Sequence, residues 1–416
     1  MTPPVRPNYP LVLFILAIWF VISFVTNIIG PLLPVIIADF RLSLGWAGFL
    51  PFSFFLAYGV ASIPAGMLIE RAGAKPSMLI ALATNLVGAL LLVLFPSYAV
   101  ALLALFVIGI GMAMLQVIIN PLMRTAGGES HFAFYSVLAQ LVFGLASFVS
   151  PSVFAALMAH RAEVARGALH VLVPPALPWL LIYWLFAALF VTALALTAAM
   201  RMPRVELKDD ERAGGWASYA ALCHQPKTWL FFAGIAAYVA TEQGLANWMS
   251  QFLATYHDLS PLSDGAATVG RFWGLMAVGC AMGLGLLKLL DSRLVLCGFT
   301  AAAIASVLVA LFGDTSMALV GFAAAGFFLS VMFSTVFSLA LNSVEQHHGA
   351  FSGILCTGIV GGAVSPLVIG QLGDLVGLRA AMLLTVATLA YIFVIGLVAR
   401  PIIPNATIQR RKPTAA

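Results

Sequence analysis

Charge is the scarcest commodity in this chain. Only 8% of its 416 residues are Asp, Glu, Lys or Arg, against 62% hydrophobic, and the mean hydropathy is +1.06. A soluble globule of that length could not hide so much apolar surface from water. Cysteine is scarce as well. Cys223, Cys280, Cys297 and Cys356 show neither paired nor metal-ligand spacing, so they read as reduced thiols of the membrane or its cytoplasmic face. No Gly-rich phosphate loop and no nucleophile–base pair in a recognisable context is present, which argues against an enzyme or a nucleotide-driven pump, and no cofactor is expected. His347-His348 are too isolated for a metal site. The net charge of +5 is modest and the basic residues are scattered over short loops, so nucleic acid is not an expected partner. A cleavable leader is also missing: the first apolar stretch, Leu11 to Ile37, is too long for one and has no small-residue cleavage site.

What is there in abundance is apolar runs. Twelve are expected to cross a bilayer, at 11–38, 46–69, 76–95, 98–123, 134–158, 177–200, 229–255, 266–289, 294–312, 316–341, 351–373 and 379–399. Each is long enough for a hydrocarbon core of about 30 Å. If the chain starts inside, fifteen of the twenty Lys and Arg fall on the cytoplasmic side, leaving Arg41, Arg161, Arg166, Arg271 and Arg379 outside. That bias predicts cytoplasmic termini at both ends. One long polar stretch, Met202 to Lys227, holds Lys208-Asp209-Asp210-Glu211-Arg212 and reads as a solvated linker. It divides the chain into an N-terminal six-helix bundle (1–201), a cytoplasmic linker (202–227) and a C-terminal six-helix bundle with a short tail (228–416).

One stretch breaks the apolar pattern from within: Tyr238-Val239-Ala240-Thr241-Glu242-Gln243-Gly244-Leu245-Ala246-Asn247-Trp248. Glu242 is the only acid near the middle of a span. A charged side chain at that depth costs roughly 2.5–3.5 kcal/mol on insertion scales, so it needs a partner, a wet cavity or a substrate. It could exchange a proton, hold Na⁺, bond a sugar hydroxyl, or bridge two helices as a neutral acid. Gln243 and Asn247, four apart, share a helical face, as do Gln116 and Asn120. Their amides both donate and accept, the chemistry that grips a neutral polyol; interhelical bonding is the plainer use. Asn27 and Gln140 are candidates of the same kind. Among aromatics that could stack on a sugar, Trp19, Phe24, Tyr58, Tyr135, Trp248 and Trp273 stand in the spans.

The halves echo each other at an offset of 215 residues. Val149-Ser150-Pro151 recurs as Val364-Ser365-Pro366, Gly111 falls on Gly326, and Thr26-Asn27 falls on Thr241-Glu242. A duplicated six-helix unit follows, with Asn27 and Glu242 on opposite walls of one cavity. Two pseudo-symmetric bundles related by an axis along the membrane normal are the architecture of the major facilitator superfamily. Gly66-Met67-Leu68-Ile69-Glu70-Arg71-Ala72-Gly73-Ala74-Lys75 resembles that superfamily's loop signature, in which Glu70, Arg71 and Lys75 would form a conformational latch. A degenerate second copy runs from Leu286 to Arg293.

A narrower resemblance lies in Thr26-Asn27-Ile28-Ile29-Gly30-Pro31, in Leu115-Gln116-Val117-Ile118-Ile119-Asn120-Pro121, in Ala139-Gln140, in Tyr238 to Glu242, in Phe333 to Leu341 and in Ile359 to Pro366. These resemble the fucose–galactose–glucose:proton symporters, the L-fucose permease group. The resemblance implies an all-α integral membrane protein of twelve transmembrane helices in the bacterial inner membrane, working as a monomer. It also implies a small polar solute, most simply a monosaccharide, moved with H⁺ or Na⁺. Asn27, Gln116, Asn120, Gln140, Gln243, Asn247 and Trp248 would bind the solute and Glu242 would couple the ion. The group carries acids where this chain has Gly30 and Gln116, an asparagine at Phe143 and an arginine at Cys280. Those departures keep open a uniporter or exporter of a less polar compound.

Overall fold

The computed structural model describes residues 8–127, 132–159, 173–174, 177–202, 216–344 and 348–400. Among them the chain forms twelve long helices, in the order the hydropathy runs predict. Helix one is Tyr9–Thr26 and Ile29–Phe40, helix two Leu44–Ala72, helix three Ala74–Leu94, helix four Tyr98–Gly127, helix five Phe132–Ala159 and helix six Leu181–Ala199. Helix seven is Pro226–His257, helix eight Ala266–Leu289, helix nine Ser292–Phe312, helix ten Thr315–Leu329 with Met332–Leu341, helix eleven His348–Thr357 with Gly361–Val376, and helix twelve Leu378–Ala381 with Leu384–Val398. Eleven of the spans are long and apolar enough to cross a membrane on length and hydropathy alone. The exception is helix seven, which at 32 residues and about 48 Å has ample length. Thr241, Glu242, Gln243, Asn247, Ser250 and Gln251 dilute its apolar character.

The breaks in helices one and ten have different origins. Pro31 has no N–H to give the Asn27 carbonyl, so the helix interrupts at Asn27-Ile28. Helix ten breaks at Ser330-Val331 with no proline between Gly326 and Ser334. There the Ser330 carbonyl is taken up by the Cys280 thiol, 3.3 Å away.

Glycines set how closely the halves approach. A Cβ on Gly30 in helix one would overlap the Ala246 carbonyl of helix seven, and one on Gly370 in helix eleven would overlap the Leu44 carbonyl of helix two. Gly48 meets the backbone at Pro366 and Leu367 at 2.9 Å. On the other flank Gly144 of helix five lies against Ala277 of helix eight, and Gly274 against the Phe148 ring. All these positions lie in the middle or at the far end of the bundle, away from the face on which the described chain begins and ends. At that distal face Asp374 of helix eleven accepts from the Leu44 and Gly45 amides at 2.9 and 2.8 Å, a carboxylate seated on the exposed N-terminus of helix two. On the terminal face, by contrast, helix four makes no comparable approach to helices ten and eleven among the described residues. Among the described residues, the backbone approaches between the halves lie at mid-depth and on the distal side.

The echo between halves also appears as contacts, with one shift of register. Gly326 packs on the Phe272 carbonyl of helix eight, and its counterpart by contact is Gly109, which packs on the Phe54 carbonyl of helix two, rather than Gly111. Gly111 packs on the Asn85 amide. Ser150 donates to the Phe24 carbonyl at 2.7 Å, while Ser365 lies against Gly244, so each helix of the echoing Ser-Pro pair faces the first helix of its own half.

The linker is not wholly solvated. Trp216–Cys223 forms a short helix in which Leu222 is buried and Tyr219 approaches Gly353 of helix eleven. The charged run at 208–212 lies outside the described residues, as do Arg6, His347 and the bases of the tail.

Replacing Asp374 by Ala removes two charge-assisted bonds from the distal closure, worth about 1–2 kcal/mol at a helix N-terminus. Spin labels on the exposed positions Trp46 and Leu375 should report a larger population of long distances in Asp374→Ala, measured by pulsed electron resonance. An unchanged distance distribution would show that packing alone holds the closure.

Candidate functional site

Helix seven presents a different partner on each side. Trp248 and Thr241 turn toward helices eleven and twelve: the indole N–H donates to the Pro366 carbonyl at 2.9 Å, and Thr241 pairs with Thr388 at 2.7 Å. Gln243 packs near Gly362 of helix eleven, and its carbonyl and amide oxygens accept from Asn247 at 2.8 and 3.2 Å. Both amides are buried, and Trp248 is wholly enclosed. In this conformation Trp248 ties helix seven to helix eleven, while the two amides bond each other within helix seven.

Glu242 is placed otherwise. It stays partly exposed and accepts a bond from the Tyr238 hydroxyl at 2.9 Å. Cys280 of helix eight lies within electrostatic reach of it, and the Tyr238 ring packs on Phe333 of helix ten at 5.7 Å. Ala246, one turn of about 6 Å away, is the point where helix one presses closest. The carboxyl therefore lies just on the terminal side of the contact that closes the two halves. Burial of a lone carboxyl in hydrocarbon is costly, and here the Tyr238 phenol offsets part of that cost.

In the N-terminal half Asn27 is buried, and its amide nitrogen donates to Ser147 at 2.8 Å and to the Ser23 carbonyl at 3.0 Å. Ser23 bonds Ser147 at 2.7 Å and the Phe143 carbonyl at 2.6 Å. Asn27 thus ties helix one to helix five. Gly30, where the resemblance anticipates an acid, is backed against Ala246 with no space for a side chain. Gln116 is half-buried and has a partner. Gln140 is exposed, one turn from Gly144 on the stripe of helix five that meets helix eight. The Asn120 and Glu70 side chains lie outside the described residues.

The expected latch works differently from its sequence reading. Lys75 donates to the Ala198 and Met200 carbonyls at 2.7 and 2.8 Å, at the C-terminal end of helix six in its own half, and Arg71 is exposed. In the degenerate copy Arg293 does the same for helix twelve, reaching the Gly396 and Leu397 carbonyls at 3.0 and 2.5 Å. A cation at a helix C-terminus satisfies orphan carbonyls and complements the dipole. The base of each loop therefore braces the last helix of its own bundle. This pairing within each half was not legible because the C-terminal carbonyls of helix six carry no side-chain signature.

This architecture defines a class: paired six-helix bundles closing on a polar helix seven. The chain belongs to the Major Facilitator Superfamily, whose family model matches residues 15–358. More particularly, it falls with the fucose–galactose–glucose:proton symporters. A glucose/galactose transporter of Brucella abortus is 32% identical over 410 residues, covering 94% of this chain and 95% of that one. The L-fucose-proton symporter of Escherichia coli is 23% identical over 399 residues, covering 91% and 90%. A crystal structure of the E. coli fucose:proton symporter superposes with a TM-score of 0.67 at 20% identity, over 95% of this chain and all of that one. An inward-facing bacterial homologue of the human lysosomal transporter Spinster gives 0.77 at 16% identity, over 94% and 97%. These relatives are transporters, not enzymes.

If Lys75 braces helix six, Lys75→Met should lower the thermal midpoint in detergent, by the equivalent of about 0.3–1 kcal/mol. Distances between the two bundles should stay the same. A change in the spacing between bundles with no loss of stability would restore the latch.

Proposed function

We propose that this chain is a secondary transporter that takes up a monosaccharide across a bacterial inner membrane by alternating access, in symport with a proton. The single observation that carries the reading is Glu242: a carboxyl deep in a membrane helix, held by Tyr238, partly exposed on the terminal side of the contact that closes the halves. A group that must exchange a proton with first one side and then the other has to sit next to the moving barrier, and the place of Glu242 one turn from the Gly30–Ala246 approach supports that role. The names of the relatives, glucose/galactose transporter and L-fucose-proton symporter, support a sugar as solute and H⁺ rather than Na⁺ as the coupled ion.

The remaining parts follow from the distribution of charge. With both termini cytoplasmic, the terminal face is the inner one, and the conformation described here is inward-facing. Bundles 1–201 and 228–416 would rock about the 202–227 linker, and a single chain holds the whole route. Solute arriving from outside would meet Glu242 and Tyr238 on the C-terminal wall, with Gln116, Asn120 and Gln140 on the N-terminal one. Asn27, Gln243, Asn247 and Trp248 would join it when the helix one–helix seven contact opens.

In proteoliposomes, adding glucose or galactose should move protons inward with the sugar. Glu242→Gln should abolish sugar-driven proton movement while leaving exchange of labelled sugar across the membrane. Sugar uptake that proceeds without proton movement in the native protein would favour the uniporter reading, which the side-chain-free contact at Gly30 makes the natural alternative.

A further inference from the structure

Buried indole N–H groups ordinarily find an acceptor, and an unpaired one in a native structure needs an explanation. Trp248 has found one in the Pro366 carbonyl. Trp273 of helix eight has not: the residue is 3% exposed and its Nε1 has no hydrogen-bond partner.

The direction of Trp273 follows from its helix. At 100° per residue the contacts of helix eight sort into stripes. Gly270, Gly274 and Ala277 meet Phe148 and Gly144 of helix five. Phe272, Gly279 and Gly283 meet Gly326, Phe327 and Val331 of helix ten and its break. Arg271, Leu275, Val278 and Met282 are exposed and face outward. The one stripe left, Val269, Trp273, Met276 and Cys280, points away from lipid between helices five and ten, toward helices one and seven, both of which helix eight also contacts. Cys280 on that stripe is the residue within electrostatic reach of Glu242. Trp273 stands seven residues further toward the distal face, about 10 Å along the same stripe.

We propose that Trp273 is a sugar-binding residue of this transporter, its indole N–H donating to one hydroxyl of the solute at the distal end of the site. The ring offers an apolar face to the sugar's C–H groups, and the N–H stays unpaired in the closed, empty protein because its acceptor arrives with the solute. Glu242 and Tyr238 then hold one end of the sugar and Trp273 the other. The site would discriminate among hexoses by the hydroxyl that meets the indole, since a donor left unpaired penalises a solute lacking that oxygen. This inference rests on the sugar-transport reading above.

The test is competition by the monodeoxy forms of glucose against labelled glucose uptake, on native protein, Trp273→Phe and Trp273→His. In the native protein one deoxy sugar should bind about tenfold more weakly than glucose on account of the indole bond. Against Trp273→Phe, which keeps an aromatic ring and loses the N–H, glucose should weaken by a similar factor and that deoxy sugar should no longer differ from it. Trp273→His keeps a ring N–H and should retain part of the discrimination, and it serves also if the Phe variant does not fold. Unchanged discrimination in either folded variant overturns the assignment while leaving sugar transport intact. Native protein that takes up neither glucose nor galactose, and is competed by no deoxy sugar, overturns the sugar reading itself and this inference with it.

Discussion

A carboxyl group in the middle of a hydrocarbon layer must be given something to bond to, and much of this molecule can be understood from how Glu242 is provided for. Water is not available from the lipid, and a lone charge there costs several kcal/mol. The Tyr238 hydroxyl supplies one bond from within the same helix, one turn away. The side chain otherwise stays partly exposed. Glu242 lies one turn to the terminal side of the place where Gly30 approaches Ala246.

The closure itself is built from backbone rather than side chains. Gly30 against Ala246, Gly48 against Pro366 and Leu367, and Gly144 against Ala277 bring main chains within contact distance across the two halves. Such contacts rely on van der Waals packing and lose nothing to desolvation when they part, which suits surfaces that must separate and rejoin. Asp374 on the N-terminus of helix two adds a polar fastening at the distal rim. Polar side chains in the interior are spent mainly within each half: Asn27 with Ser23 and Ser147, Thr241 with Thr388, and Trp248 with Pro366. Each of these bonds joins helices of the same half.

Much of this was readable from residue order. Apolar runs of bilayer length marked the helices, with helix seven falling short of the other eleven on hydropathy. The isolated position of Glu242 identified the helix that hydropathy ranks lowest. Pro31 explains the break in helix one once it is seen, whereas no proline explains the break at Ser330-Val331. What could not be read was partnership. Asn27 and Gln140 look alike in sequence, yet one is consumed by helix five and the other is exposed. Trp248 and Trp273 are equally plausible rings, and only the position of the Pro366 carbonyl distinguishes them. Lys75 read as part of a charged latch with Glu70 and Arg71, and its bonds to the end of helix six carry no sign in the local sequence. The linker helix Trp216–Cys223 was hidden by its brevity and by the charges preceding it.

The most direct test of the central claim is where position 242 meets water. In a variant whose four native cysteines are replaced by serine, Glu242→Cys should react with a membrane-impermeant thiol reagent in inside-out vesicles. In right-side-out vesicles without sugar it should be protected. Protection from both sides, with the protein folded and inserted, would place that carboxyl in dry packing or in lipid and would contradict the account.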